Sequence, residues 1–376
     1  MRIGVNTRLL VKGKMDGLAW YAYEILQRMV KKHPDDEFIF FFDRQPDKDF
    51  IFAPNVKPIV LFPQARHPFL WFCFFELSLP KAIKKENIDV FFSPDGFLSM
   101  KSDVKSLNVI HDLNFEHLSN TLPPLVYVYY RFFFPKYAKK ANKLATVSNF
   151  SRLDIGQQYD IDTKDIIVIP NACAKDFYSI STSEQTKICK QYTMGKPFFI
   201  CVGTINKRKN IVNILLAFEK FKQKGHIEQL LFVGNRKHWD KEMTYTLNKM
   251  KFKDEVIFTN YISTAVLNKL LASAKALLYP SLFEGFGVPI LEAFACHTPV
   301  ISSNITAMPE VAGDAAILVN PYNTDEIVEA MCNIIKDKTL TQNLIEKGQK
   351  QLQKFSWDKS ETLVWQELQN LYNSNK

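Results

Sequence analysis

Short β-rich runs alternate with helical patterns along almost the whole chain, and this alternation limits the fold more than any other feature. Candidate strands are Arg2–Asn6, Glu37–Asp43, Lys57–Leu61, Ile88–Ser93, Val104–Ile110 and Lys143–Val147, with Ile166–Asn171 closing the set. A second set runs through Pro197–Val202, Gln229–Val233, Glu255–Phe258, Ala276–Tyr279, Pro299–Ser302 and Ala316–Val319. Strands separated by helices pair in parallel, because a parallel neighbour needs a crossover and a helix supplies it. The expected class is therefore α/β, with two doubly wound domains, and 376 residues are enough for two. The polar stretch from Ser179 to Gln185 is the expected linker. That gives domains of 1–180 and 181–354, followed by a terminal helical segment, 355–376.

Composition narrows the setting. Hydrophobic residues make up 47% of the chain, ample for two cores. The six cysteines show no Cys-x-x-Cys and no cluster with histidine, so they read as thiols in a reducing compartment. Met-Arg-Ile-Gly-Val-Asn opens as a strand and not as a signal peptide. No apolar run approaches the roughly 18 residues of a membrane span. The expectation is a cytoplasmic protein, or one at the inner face of the membrane. The net charge of +9 permits anionic partners without selecting one, and with no basic tail or zinc-finger spacing a nucleic-acid partner is not expected.

The stretch from Tyr279 to Glu292 carries the chemistry. Ala274 to Tyr279 reads as a buried strand, and Val288 to Cys296 as a helix with Pro289 in its first turn. Between them Glu284-Gly-Phe-Gly287 is a turn whose two glycines can take unusual dihedrals and admit a ligand to the backbone. Strand, glycine turn and helix start together form an anion site, since amides and the positive helix end point the same way. Two carboxylates, Glu284 and Glu292, bracket that turn. Taken alone, Glu292 in the first helical turn could simply complement the dipole, and Glu284 could be a solvated turn residue. Together they suit a ligand with both phosphates and hydroxyls, which a nucleotide-sugar is.

Ser281-Leu-Phe-Glu-Gly-Phe-Gly-Val-Pro-Ile-Leu-Glu-Ala-Phe-Ala-Cys-His-Thr-Pro-Val300 resembles the signature of the large retaining glycosyltransferase family with the GT-B fold, often called family four. The resemblance implies two Rossmann-like domains facing a cleft, with the C-terminal helix crossing back onto the first. It also implies that Glu284 faces the donor sugar and diphosphate, that Gly285, Phe286 and Gly287 hold phosphate with Val288 beside them among the donor-binding residues, and that Glu292 binds ribose hydroxyls. His297 stands where the family usually has glycine.

Other strand ends supply further candidates, because ligands of such sheets bind beyond the carboxyl ends of strands. Leu9 to Leu18, with Gly13 and Gly17, precedes the expected helix Ala19–Lys32; it reads as a plain βα connection or as a phosphate-contacting loop. Gly17 matches the first of two glycines in the family's loop, whereas Ala19 stands at the second and Asn6-Thr-Arg8 departs from the frequent Asp-x-Arg. His111-Asp112 follows a strand directly. The resemblance puts His111 against the donor sugar as a catalytic residue, with Asp112 as orienter or acceptor contact. Ser148 and Arg152 are acceptor-side candidates by resemblance, although helix capping alone would explain Ser148. In Cys201-Val-Gly-Thr-Ile-Asn-Lys-Arg-Lys-Asn210, Gly203 and Thr204 end a strand, and Arg208 and Lys209 could clamp a diphosphate. The family assigns that role to Lys209. Asn235, after the next strand, is a base-side candidate, as is Tyr261-Ile-Ser263. Met308 to Gly313 reads as scaffold.

His67 to Phe75 and Leu125 to Ala141 are aromatic, and the second segment adds Arg131, Lys136, Lys139 and Lys140. They read either as buried helices with solvated lysines or as a surface for anionic membrane. Trp357 and Trp365, in the expected helix Asp358–Tyr372, read as packing residues.

The sequence thus points to a retaining hexosyltransferase. Its partners would be a nucleotide diphosphate sugar (GDP-mannose or a related hexose donor) and a hydroxyl of a glycan or lipid-linked saccharide. His111, Glu284 and Lys209 are the expected catalytic set. Without an Asp-x-Asp motif or a histidine cluster, no cofactor and no essential metal are expected. An epimerase or sugar phosphorylase of the same fold, and a non-catalytic nucleotide-sugar-binding protein, are the alternatives. A nicotinamide dehydrogenase lacks its Gly-x-Gly-x-x-Gly.

Overall fold

A computed structural model describes residues 1–118, 122–236 and 238–374. It comprises two compact units, Met1–Asn171 with Ser356–Lys376, and Ala172–Phe355. The first contains a seven-stranded sheet of β1 (Arg2–Asn6), β2 (Glu37–Phe42), β3 (Val56–Val60), β4 (Val90–Ser93), β5 (Ser106–Val109), β6 (Lys143–Thr146) and β7 (Ile166–Val168). Their spatial order is β3-β2-β1-β4-β5-β6-β7, and the pairings are parallel. Phe38 to Phe42 are all buried, as a strand covered on both faces requires, which is why the run is continuously apolar and does not alternate.

The second unit holds β8 (Phe198–Val202), β9 (Gln229–Val233), β10 (Val256–Phe258), β11 (Leu277–Tyr279), β12 (Val300–Ser303) and β13 (Ile317–Val319). The order is β10-β9-β8-β11-β12-β13, again parallel. In each sheet the winding reverses beside the first strand, between β1 and β4 and between β8 and β11. Such switch points are where doubly wound sheets bind ligands. Every strand expected from the sequence is present, with end residues shifted by one or a few positions.

The expected division at 180/181 falls instead at 171/172. Residues 179–185 are not a linker, because the helix Thr182–Thr193 begins within them. Ser181 caps it, its side chain accepting from the Glu184 amide at 3.3 Å and donating to the Glu184 carboxylate. This Ser-x-x-Glu capping pattern was present in the sequence. The Tyr178 amide donates to Asn268 at 2.9 Å, tying the preceding segment to the second unit.

In the first unit the helix Gly17–Lys32 is capped by Asp16, which accepts from the Ala19 amide at 3.1 Å. The C-terminal helix Trp357–Asn373 packs on it. Glu361, almost fully buried, pairs with Lys32 at 2.6 Å, and Ser360 donates to the Pro170 carbonyl at 2.6 Å. Trp365 stacks on His33 at 3.5 Å, and Trp357 packs edge-on to Tyr21. Both tryptophans are buried packing residues. Among the described residues no helix is long and apolar enough to cross a membrane.

Candidate functional site

At the carboxyl end of the second sheet the backbone is stitched before any ligand chemistry begins. Gly203 and Gly234 end β8 and β9 with φ of +123° and +148°. A Cβ on Gly234 would lie 1.9 Å from the Gly203 carbonyl oxygen, so only glycine fits. A Cβ on Gly203 would meet Lys209 Cε at 3.0 Å, which is how the lysine crosses the strand end. Asn206 caps the short turn Lys207–Lys209. Asn210, in the left-handed region at φ +59°, donates to the carbonyls of Pro280 (3.0 Å) and Pro321 (2.6 Å). The Leu282 amide donates to the Arg208 carbonyl at 2.8 Å, and Arg208 Nη1 donates to the Phe283 carbonyl at 3.0 Å. The loops after β8 and β11 are therefore hydrogen-bonded into one body.

Glu284, Arg208 and Lys209 meet in that body. Lys209 Nζ lies 2.8 Å from Glu284 Oε1 and donates to the Tyr279 hydroxyl at 2.6 Å, while Arg208 pairs with Glu284 Oε2. The two cations are not waiting on a solvated loop; one buried carboxylate holds both. Burial pushes the Glu284 carboxyl up, but Arg208 and Lys209 overcome it and hold the group well below the usual carboxylate range. Burial lowers the Lys209 ammonium, against the pull of Glu284.

Glu292 lies one turn further on. The helix Val288–Ala295 has no acid in its first turn, so Glu292 is not the dipole complement that its spacing suggested. Burial pushes its carboxyl up to about 7, with Lys209 opposing. No side chain among the described residues donates a hydrogen bond to it. Of the two turn glycines, Gly287 takes the positive φ, +99°, and Gly285 does not. A Cβ on Gly287 would press on Met308 Sδ at 3.1 Å, which gives Met308 to Ala312 its scaffolding part. Phe286 is buried edge-on against Phe355, and Val288 opens the helix. Thr204 and Asn235 are exposed at the strand ends, the Asn235 carbonyl accepting from Ile205 N at 3.0 Å. Tyr261 and Ser263 are exposed as well. His297 takes φ +57°, which accounts for glycine's suitability at that helix end.

In the first unit His111 follows β5. Its Nε2 donates to the Pro94 carbonyl at 2.8 Å, and its ring lies edge-on to Tyr21 at 4.7 Å. Burial lowers its pKa, keeping the ring neutral with Nδ1 as acceptor. Asp112 is not its orienter: Asp112 accepts from the amide (3.0 Å) and side chain (2.6 Å) of Asn114 and shapes the turn, while the Pro94 carbonyl sets the imidazole. Ser148 caps its helix by accepting from Ser151 N at 3.1 Å, and Arg152 in the same helix has a buried Nε without a hydrogen-bond partner among the described residues. Gly17 sits at a helix start, where an added Cβ would meet nothing within 4 Å.

Three residues escaped the sequence reading. Tyr279 positions Lys209. Asp95, buried, accepts from Asn6 Nδ2 at 2.7 Å and pairs with Arg8 Nε at 2.9 Å. Tyr21 buttresses His111. Only Pro94-Asp-Gly96, a turn after a strand, offered any signal. All six cysteines are free. Among the described residues, no three His, Cys, Asp or Glu side chains cluster as a metal site would require.

Residues 15–176 match the Glycosyltransferase Family 4 domain, and residues 184–351 match Glycosyl transferases group 1. With both sheets accounted for, the chain belongs to these GT-B glycosyltransferases. It is 30% identical over 224 residues to O-antigen chain mannosyltransferase B of Escherichia coli, covering 59% of each chain. It is 31% identical over 208 residues to O-antigen chain mannosyltransferase RfbU of Salmonella typhimurium, covering 55% of each. The matched part thus spans little more than half the length of these relatives. Anabaena Alr3699/HepE, solved in complex with UDP and glucose, superposes with a TM-score of 0.76 at 16% identity, over 98% of this chain and 99% of that one. At that identity the likeness concerns the fold.

Proposed function

We propose that this protein transfers a hexose, with mannose the first candidate, from a nucleotide diphosphate sugar to a hydroxyl of a glycan or lipid-linked saccharide in polysaccharide assembly. The observation that carries this reading is the buried triad of Glu284, Arg208 and Lys209 beside a proline-started helix. Its two cations against one carboxylate leave an excess positive charge where a diphosphate departs, and such preorganised charge is commonly the largest catalytic contribution. The mannosyltransferase relatives favour mannose; the UDP complex of the Anabaena protein favours a nucleotide-sugar in general.

In this reading Gly285 to Val288 receive phosphate oxygens through backbone amides, and Glu292 accepts from ribose hydroxyls. Neutral His111 accepts from a donor hydroxyl through Nδ1. The bond from the anomeric carbon to the diphosphate oxygen breaks as the acceptor oxygen bonds the same face, giving retention. The acceptor's proton passes to the departing phosphate, and Arg208 and Lys209 stabilise its charge. No metal is needed for these steps. Exposed Phe69, Phe72, Leu125, Val128 and Phe132, with Lys136 and Arg131 nearby in sequence, support contact with the anionic inner face of a membrane.

The test is binding of GDP-, UDP- and ADP-sugars in the presence of chelator, followed over hours for release of nucleotide. Selective binding of one donor with slow hydrolysis is expected. Failure of all three to bind, with and without lipid vesicles, would sink the proposal.

A further inference from the structure

A cavity of about 330 Å³ in the first unit is lined by four cations, Arg8, Lys14, Arg44 and Arg66, and otherwise only by Leu9, Val11 and Ala65. It lies in the loops that follow β1, β2 and β3, at the carboxyl end of the sheet, where this fold class takes its ligands. We propose that it holds the phosphate or diphosphate group of the acceptor. The proposal rests on the glycosyltransferase reading and adds an acceptor class to it.

Two of the cations are preorganised from behind. Arg8 Nε sits 2.9 Å from Asp95 Oδ2, and its guanidinium lies over the Phe97 ring at 4.1 Å. Arg44 pairs with both oxygens of Asp43 at 2.6 Å, and Asp43 in turn accepts from the Ala65 amide at 3.0 Å. Both carboxylates are almost completely buried, so neither is displayed to a ligand. The other two cations have no such counterpart: among the described residues neither Lys14 nor Arg66 makes an ion pair or side-chain hydrogen bond. Their neighbour Lys12 shows the contrast, paired with Asp47 at 3.2 Å and Asp49 at 2.7 Å.

Four cations set against two carboxylates leave two positive charges converging on one cavity, an arrangement complementary to a dianion. Arginines held in fixed planes favour the bidentate geometry of phosphate oxygens. Phe62 and Phe69, 71% and 68% exposed, flank Arg66 in the chain and offer an apolar surface for a lipid tail. The same phosphate chemistry would serve a water-soluble sugar phosphate.

The experiment is calorimetric titration of the full chain with inorganic pyrophosphate, in wild type, in Lys209→Ala, in Lys14→Ala/Arg66→Ala and in the triple variant. Lys14 and Arg66 hold no other group in place, so their removal spares the fold. In the Lys209→Ala background, the added pair should weaken pyrophosphate binding by roughly tenfold or more. Equal affinity with and without the pair overturns the acceptor-phosphate site. If Lys209→Ala alone removes all binding, the pocket fails while the donor reading stands. If only the pair matters, the donor clamp fails and the pocket stands. Farnesyl diphosphate then separates the sources: tighter binding than pyrophosphate, lost in Phe62→Ser/Phe69→Ser, marks a lipid-linked ligand, and equal binding marks a soluble one.

Discussion

Glu284 Oε1 and Lys209 Nζ stand 2.8 Å apart with both side chains about nine-tenths buried. Arg208 occupies the other carboxylate oxygen, so one acid holds two neighbouring cations and the cluster keeps one net positive charge. Glu284→Gln should therefore cost about 3–5 kcal/mol, since it strands buried charge. In a double-mutant cycle, adding Lys209→Met should cost less than the sum of the single changes, as read by denaturant unfolding. Additivity would mean that the pair is not coupled. The linkage has a definite sign. A depressed carboxyl stabilises the fold above its unfolded value near 4.5, and this stability is lost as the pH falls below it.

Glu292 has the opposite sign. Its carboxyl is raised from 4.5 to about 7, so its contribution is complete below the unfolded value and disappears as the pH rises through about 7. Between pH 5 and 8 the wild type should lose on the order of 1–3 kcal/mol of stability. Glu292→Gln should flatten that slope in unfolding curves taken across the range. A slope that persists in the variant would belong to another group.

The strand-end glycines make a steric prediction. Gly234→Ala brings a Cβ to 1.9 Å from the Gly203 carbonyl at φ +148°, and the loop carrying Lys209 must shift. A loss of about 2–4 kcal/mol is expected, with weaker nucleotide binding. Gly17→Ala, with nothing within 4 Å, should stay within about 0.5 kcal/mol. Thermal unfolding of the two variants side by side decides the matter, and similar melting shifts would refute it.

His111→Ala should leave nucleotide affinity unchanged and lower sugar transfer by about 10²-fold. Because burial keeps the ring neutral, the wild-type rate should show no inflection near pH 6.5 from this residue. A rate profile that follows imidazole protonation and vanishes in the variant would overturn the neutral-acceptor role.

What was legible in the sequence was local. Strand existence came through because a doubly covered parallel strand writes itself as a continuous apolar run, as Phe38 to Phe42 does. The turn around Gly287 was legible because its chemistry is adjacent in the chain. Ser181 looks like linker by polarity, yet its capping partner Glu184 lies only three residues away and makes it a helix start. Asp112 was assigned to its sequence neighbour His111, whereas its hydrogen bonds run forward to Asn114.

The sequence by itself determined the α/β class, the number of strands and the family signature, since these are written in periodicity and in short contiguous motifs. Only the tertiary structure decided that Glu284 pairs with Arg208 and Lys209 from some 75 positions away, or that Asp95 holds Arg8 from 87. It also decided that Arg8, Lys14, Arg44 and Arg66 share one cavity. The reason is physical. Strand order, and not distance along the chain, sets which loops meet at the end of a parallel sheet, and a charge acquires its role from the partner and the burial that meeting supplies.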